Sequence, residues 1–205
     1  SEYTVEGYRT PGHLAERLLT VFCWYTEKKK NLKVKRLQTI VFLKTDQKMT
    51  LAQAKKTAPA FAENNVAIAV AANDYFIPYC ATFLKSVAEH GDSKKNYDIL
   101  LLSQDVSDSN IKEMGKLLSA WKNVSLRVID PSALIDQYTF HIRGHFSKET
   151  YYRLVLPELL PNYDKVLYLD SDMIAMDDVA KIYDENVDGY LLAACHDADT
   201  AGLYN

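Results

Sequence analysis

After its asparagine, the run Asn65-Val-Ala-Ile-Ala-Val-Ala-Ala72 holds no polar side chain. Successive side chains of a strand point to opposite faces, so a strand that is apolar throughout must be covered on both. Such strands belong to parallel sheets packed between helices. The rest of the chain fits that demand. A helix is predicted over 76–90, ending near Gly91, and a second strand over 97–103. Ser107 is placed to cap a helix running through Trp121, and 123–129 reads as a third strand. Ser147 caps a helix holding Tyr151, Tyr152, Arg153 and Val155, which Pro157 and Pro161 close. Residues 165–170 and 189–195 read as fourth and fifth strands. This alternation predicts an α/β fold with a mostly parallel sheet. Upstream, Leu14, Leu18, Leu19, Phe22 and Cys23 give 13–28 helical spacing. Residues 37–44 suit a strand, and 49–63 suit a short helix or a linker around Pro59.

The fourth strand ends in Val166-Leu-Tyr-Leu-Asp-Ser-Asp-Met173. Residues i and i+2 of a strand point the same way, so Asp170 and Asp172 are expected to converge at its carboxyl end, where open α/β sheets bind ligands. Two hard oxygen donors suit Mg²⁺ or Mn²⁺ holding a phosphate-bearing molecule. The first strand ends in Ala71-Ala-Asn-Asp-Tyr-Phe76, a polar pair and two aromatics at a helix start. That suits a nucleobase, with polar groups for its edge, a ring for its face and helix N–H groups for anions; the plainer reading is a helix cap. Arg153 precedes the fourth strand and is either a phosphate contact or an ion-pair residue. Cys195-His-Asp-Ala-Asp199 adds carboxylates at the same rim, and His196 alone reads as structural. Neither GxGxxG nor GxxxxGK[ST] occurs, which excludes the usual dinucleotide and P-loop sites.

Charge divides the chain. Residues 27–56 carry ten Lys and Arg against Glu27 and Asp46, within a net charge of −3. This block is either a solvated helix end and linker or a patch for anionic lipid or an acidic partner. The acidic remainder and the lack of an aromatic-basic stripe exclude nucleic acid. Cys23, Cys80 and Cys195 stand far apart in apolar surroundings and read as reduced core thiols of a cytoplasmic protein. No apolar run reaches the roughly 18–20 residues of a membrane span. The start at Ser1-Glu-Tyr3 is not a signal peptide and is expected to mark a piece of a longer chain.

From about Asn65 to Asp199 the chain resembles glycosyltransferase family 8, the retaining transferases that include lipopolysaccharide galactosyl- and glucosyltransferases. Four ordered segments carry the likeness: Val70-Ala-Ala-Asn-Asp-Tyr-Phe76 with Lys85-Ser-Val87, Thr150-Tyr-Tyr-Arg-Leu154, Tyr163-Asp-Lys-Val-Leu-Tyr-Leu-Asp-Ser-Asp172, and Leu192-Ala-Ala-Cys-His-Asp197. The resemblance implies a Rossmann-like nucleotide-diphosphosugar transferase fold, Mn²⁺ (or Mg²⁺) and a UDP-sugar donor. It also implies a saccharide or glycoconjugate acceptor, in a protein that is cytoplasmic or peripheral on the inner membrane face. Asn73 then meets the uracil edge, and Phe76, where the family usually has Tyr, stacks on uracil. Tyr75 departs from the common Asn or Glu. Ala71 and Ser171 complete the donor-binding set. Arg153 contacts the donor sugar and diphosphate, Asp170 and Asp172 hold the metal, and Asp197 lies near the transferred sugar. Retention implies attack on the leaving-group face or a covalent intermediate.

Residues 1–62 are read as the tail of a preceding domain or an extension with a basic linker, and 63–205 as the nucleotide-sugar-binding part of a transferase domain. Gly7-Tyr-Arg-Thr-Pro-Gly-His-Leu-Ala-Glu-Arg-Leu-Leu19 resembles the end of a bacterial domain found in other glycosyltransferase-like proteins, implying tandem modules. Two rival classes are a non-catalytic binding or scaffold module and a haloacid-dehalogenase-type phosphotransferase. The latter puts its motif on the first strand and continues into Thr or Val, whereas here Met173-Ile174 follow the fourth. The family's Asn-Ala-Gly segment, Gln-Asp pair and His-containing metal motif do not occur before Asn205, so a truncated domain is expected. These 205 residues alone are expected to turn over a UDP-sugar little or not at all, and robust UDP release in a coupled assay contradicts that.

Overall fold

The computed structural model describes residues 48–138 and 147–195; the helix expected over 13–28, the strand over 37–44 and Cys23 lie outside them. Four parallel strands, β1 (Asn65–Ala71), β2 (Asn96–Leu102), β3 (Val124–Ile129) and β4 (Leu167–Tyr168), form one sheet in the order β3-β2-β1-β4. The fold is α/β and Rossmann-like. Its helices are α1 (Leu51–Ala54), α2 (Ile77–His90), α3 (Asp108–Leu118), α4 (Ser132–Ile135), α5 (Leu156–Leu159) and α6 (Ala180–Tyr183), with 3₁₀ turns over Asp74–Phe76 and Lys148–Val155. No helix among the described residues is long and apolar enough to cross a membrane.

Strand β1 has two different faces. Val66, Ile68 and Val70 join Phe83, Leu84 and Val87 of α2 and Ile111, Met114 and Leu118 of α3 in one core. Ala69 and Ala71 join Leu100, Leu102, Ile129, Tyr152, Val155 and Leu159 in the other. Small side chains on that face admit the 148–159 stretch, and Tyr152 is wholly buried there. Each large apolar side chain so buried contributes about 1.5–3 kcal/mol. α2 starts with a proline in its first turn, where a missing N–H costs nothing, and ends at Gly91. A Cβ at Gly91 would stand 2.6 Å from the Tyr97 ring, so close approach demands glycine there.

Residues 48–61 run along this sheet as a strap. Met49 donates its N–H to Val128 O (2.8 Å) and accepts from Asp130 N (3.0 Å), covering the edge of β3. Ala54 of α1 is fully buried. At the far end Asp98, 0% exposed within β2, receives Arg127 Nε (3.2 Å) and Nη2, Tyr163 Oη (2.9 Å) and Ala60 N (3.0 Å). Arg127 Nη1 also bonds Ala58 O at 2.9 Å. A carboxylate inside a strand is tolerable only when saturated in this way.

Four expectations require correction. The helix from Ser147 is a 3₁₀ coil over Lys148–Val155 without a side-chain cap bond, and Pro157 opens α5 instead of closing that helix. Proline lacks an N–H and its ring strikes the carbonyl four residues back, so it cannot extend an α-helix but suits a first turn. Strand β4 spans only Leu167–Tyr168, short of the expected 165–170. The expected fifth strand, 189–195, is not one: Tyr190, Leu191 and Leu192 are exposed and unpaired in any sheet among the described residues. Strand composition without a neighbouring edge to pair with does not make a strand. Cys195, read as a core thiol, is accordingly exposed, while Cys80 is buried as expected and burial pushes its thiol up to about 12.

Replacing Arg127 with Ala leaves the buried Asp98 carboxylate without its counter-ion, and is expected to cost about 3 kcal/mol. The shift in the chemical-denaturation midpoint measures it; a change within 0.5 kcal/mol, about that of a neutral surface substitution, contradicts the saturated-carboxylate account.

Candidate functional site

The chain builds β1, β2 and β3 side by side, then returns past β1 to lay β4 on its other edge. Loops leaving the carboxyl ends of β1 and β4 therefore diverge, and open α/β sheets bind ligands in the crevice at such a switch point. One lip is 72–76 and the other is 169–172.

On the β1 lip, Asn73 Oδ1 accepts from Phe76 N (3.1 Å), closing the 3₁₀ turn that leads into α2. Asp74 turns away from the crevice toward the loop after β2. Its Oδ1 accepts from Ser107 N (2.8 Å) and Asn110 Nδ2 (2.7 Å), and its own N–H reaches Asp105 Oδ1 (3.2 Å). The Ser107 N–H holds the Asp74 carboxyl below its ordinary 3.8, with Asn110 adding to it against the opposing effect of burial. Of the polar pair, Asn73 thus caps and Asp74 ties two rim loops together. Tyr75 is 77% exposed and Phe76 39% exposed. Their rings meet edge to face at 5.7 Å, and Phe76 lies 5.6 Å from Tyr79. An aromatic surface thus stands open at this lip.

On the β4 lip, Leu169 N still bonds Ala69 O (3.0 Å), and Asp170 follows with the chain already leaving the sheet. Ser171 and Asp172 form a turn, Ser171 buried and Asp172 exposed. The two aspartates are therefore not successive same-side residues of a strand; a turn presents them. Arg153 Nη2 donates to Asp170 Oδ1 at 3.0 Å, Nε donates to Thr150 O at 3.0 Å, and the guanidinium carbon sits 4.5 Å above the Tyr168 ring. Burial raises the Tyr168 phenol to about 12 despite Arg153, so the ring under the cation is neutral at physiological pH.

The structure brings Arg153 and Asp170 into contact and puts Ala71, Asn73, Tyr75 and Phe76 on the neighbouring strand's end. Ala71 is buried in the core beneath the crevice. Asp197, His196 and Asp199 lie outside the described residues. Sequence reasoning missed Tyr168, although its place two residues before Asp170 was a signal. It also missed Thr150 as the carbonyl that aims Arg153. As a metal seat, Asp170 and Asp172 supply hard oxygens, and no group of three or more metal-ligating side chains stands among the described residues. Two carboxylates fit Mg²⁺ or Mn²⁺ in the manner of sites that leave remaining positions to phosphate and water.

The glycosyl transferase family 8 profile matches residues 67–203. The chain belongs to this family. Among family relatives, Glycosyltransferase GlyF of Streptococcus pneumoniae serotype 4 (strain ATCC BAA-334 / TIGR4) is 28% identical over 130 residues, covering 63% of this chain and 31% of GlyF. The apo structure of WbbM, a bifunctional glycosyltransferase, is 33% identical with a TM-score of 0.56, covering 91% of this chain and 31% of WbbM. Apo GlyE of Streptococcus pneumoniae TIGR4, 24% identical over 68% of this chain and 31% of GlyE, shares the fold at a TM-score of 0.50. The chain spans about a third of the length of these relatives.

Because Asp74 ties the β1 lip to the loop after β2, Asp74→Ala is expected to lower stability by about 1–3 kcal/mol at pH 7. A carboxylate whose folded value is depressed contributes stability above its unfolded value and loses it as pH falls through the folded one. The gap between wild type and Asp74→Ala should thus shrink below the ordinary value of 3.8. Denaturation at pH 7 and below 3.8 checks this, and a pH-independent gap contradicts it.

Proposed function

We propose that this protein is a metal-dependent retaining glycosyltransferase that moves a hexose from a UDP-sugar to a saccharide or glycoconjugate acceptor. The observation that carries the reading is the switch-point crevice, with exposed aromatics on one lip and the Arg153–Asp170 pair with Asp172 on the other. Family membership supports it. Phe76 offers its face to uracil. Asn73 has Oδ1 engaged with Phe76 N, so its contact with the base edge comes through the Nδ2 donors. Asp170 and Asp172 hold Mn²⁺ or Mg²⁺, and Ser171 backs the turn between them. Arg153 turns its planar fork of donors to the diphosphate. Tyr75 faces the ribose or phosphates, and Asp197 stabilises the cation that develops on the sugar. The bound ion supplies Lewis-acid neutralisation of the leaving diphosphate. WbbM is a bifunctional glycosyltransferase, and its match over 91% of this chain supports a tandem arrangement, in which residues 1–62 connect to a second transferase module.

One observation favours a second reading, a module that binds nucleotide-sugar without turning it over. Two carboxylates stand at the β4 lip, and no third metal-ligating side chain joins them among the described residues. Binding and turnover separate the readings. UDP binding measured by titration calorimetry should require Mn²⁺, and Asp170→Asn and Asp172→Asn should each weaken it by about tenfold or more, as losses around metal ligands do. UDP binding that is indifferent to EDTA contradicts the metal-dependent reading, and tight Mn²⁺–UDP binding by the full-length protein with no turnover on any acceptor leaves only the second.

A further inference from the structure

The contacts of Arg153 say in what form the metal enters this site. Asp170 is one of two carboxylates at the β4 lip, and Arg153 Nη2 lies on its Oδ1 at 3.0 Å. The guanidinium is held from two further sides, by the Thr150 carbonyl on Nε and by the Tyr168 face. A dication approaching Asp170 alone must push this cation aside and then stand beside it. It gains two carboxylates and loses one charge pair, while the arginine gains nothing.

A dication arriving with a diphosphate meets a different balance. The phosphates fill coordination positions that two carboxylates leave open. They also supply paired oxygens that the planar arginine fork can grip bidentately. The guanidinium then exchanges one anion for another within reach of its own side chain, and no like charges are left facing each other.

On the reading of a metal-dependent nucleotide-sugar site given above, we propose that Arg153 stands in for the cation at Asp170 until the ligand binds, so that the free ion is disfavoured there and the metal enters together with the diphosphate that draws Arg153 away. Metal and nucleoside diphosphate therefore bind with strong mutual dependence, and Arg153 carries much of it.

Mn²⁺ binding followed by electron paramagnetic resonance, with and without UDP, tests this on wild type, Arg153→Ala, Arg153→Lys and Asp170→Asn. In wild type, UDP should tighten Mn²⁺ binding at least about tenfold. Arg153→Ala should bind Mn²⁺ alone about three- to tenfold more tightly than wild type, the scale of losing one exposed ion pair and its stacked cation, and should show a smaller UDP effect. Arg153→Lys should restore the wild-type weakness toward Mn²⁺ alone, because the charge remains, while recovering only part of the UDP effect. Thermal melts establish that each variant is folded. If Arg153→Ala binds Mn²⁺ alone no more tightly than wild type and keeps the full UDP effect, while Asp170→Asn abolishes binding, the stand-in role is overturned and the metal site survives. If wild type binds no Mn²⁺ even with UDP, or Asp170→Asn binds it equally well, the metal-dependent reading itself fails.

Discussion

Everything at the crevice depends on β1 being buried on both faces. A strand that is apolar throughout has to sit inside a sheet, with neighbours on each edge and layers above and below. β2 takes one edge and β4 the other, and since the chain reaches them by opposite routes, the loops at their carboxyl ends part above β1. The branched residues Val66, Ile68 and Val70 seat α2 and α3. The alanines on the opposite face let Tyr152 and its 3₁₀ coil lie close to the sheet. That coil carries Arg153 on its exposed side, so the packing of one strand fixes where a cation meets Asp170.

Two tethers keep the lips in place. Asp74 joins the β1 lip to the loop after β2 through Ser107 and Asn110. The segment following Asp172 is joined to α2 and β2, with Ser86 Oγ accepting from Ala175 N at 2.8 Å and Tyr97 Oη donating to Asp178 Oδ1 at 2.7 Å. The first tether runs to the start of α3 and the second to α2 and β2, and neither uses the Asp172 side chain. The turn that carries Asp170 and Asp172 is therefore held through the segment that follows it, while Asp172 itself stays exposed.

The central strands were legible because their physics is local. β1, β2 and the first two long helices follow from unbroken apolar runs, a serine cap and a terminal glycine, and the structure places them within a residue or two except that α3 stops at Leu118. What could not be read depended on partners. The 189–195 run has strand composition, yet composition does not name the edge it would pair with. Asp74 looked like half of a ligand-facing pair because nothing local shows Ser107 waiting for it 33 positions on. The Arg153–Asp170 contact spans 17 residues and arises from packing of the 3₁₀ coil; the sequence offered ion pair and phosphate contact as alternatives, and Tyr168 beneath it went unnoticed.

The central claim is that the crevice between β1 and β4 receives a metal–nucleoside diphosphate. A crystal structure with UDP and Mn²⁺, using the anomalous signal of manganese to place the ion, tests it most directly. The account predicts an anomalous peak bound by both Asp170 and Asp172, uracil against Phe76, and the Arg153 guanidinium moved from Asp170 to the diphosphate. Manganese elsewhere, or UDP bound with the Arg153–Asp170 pair intact, would contradict it.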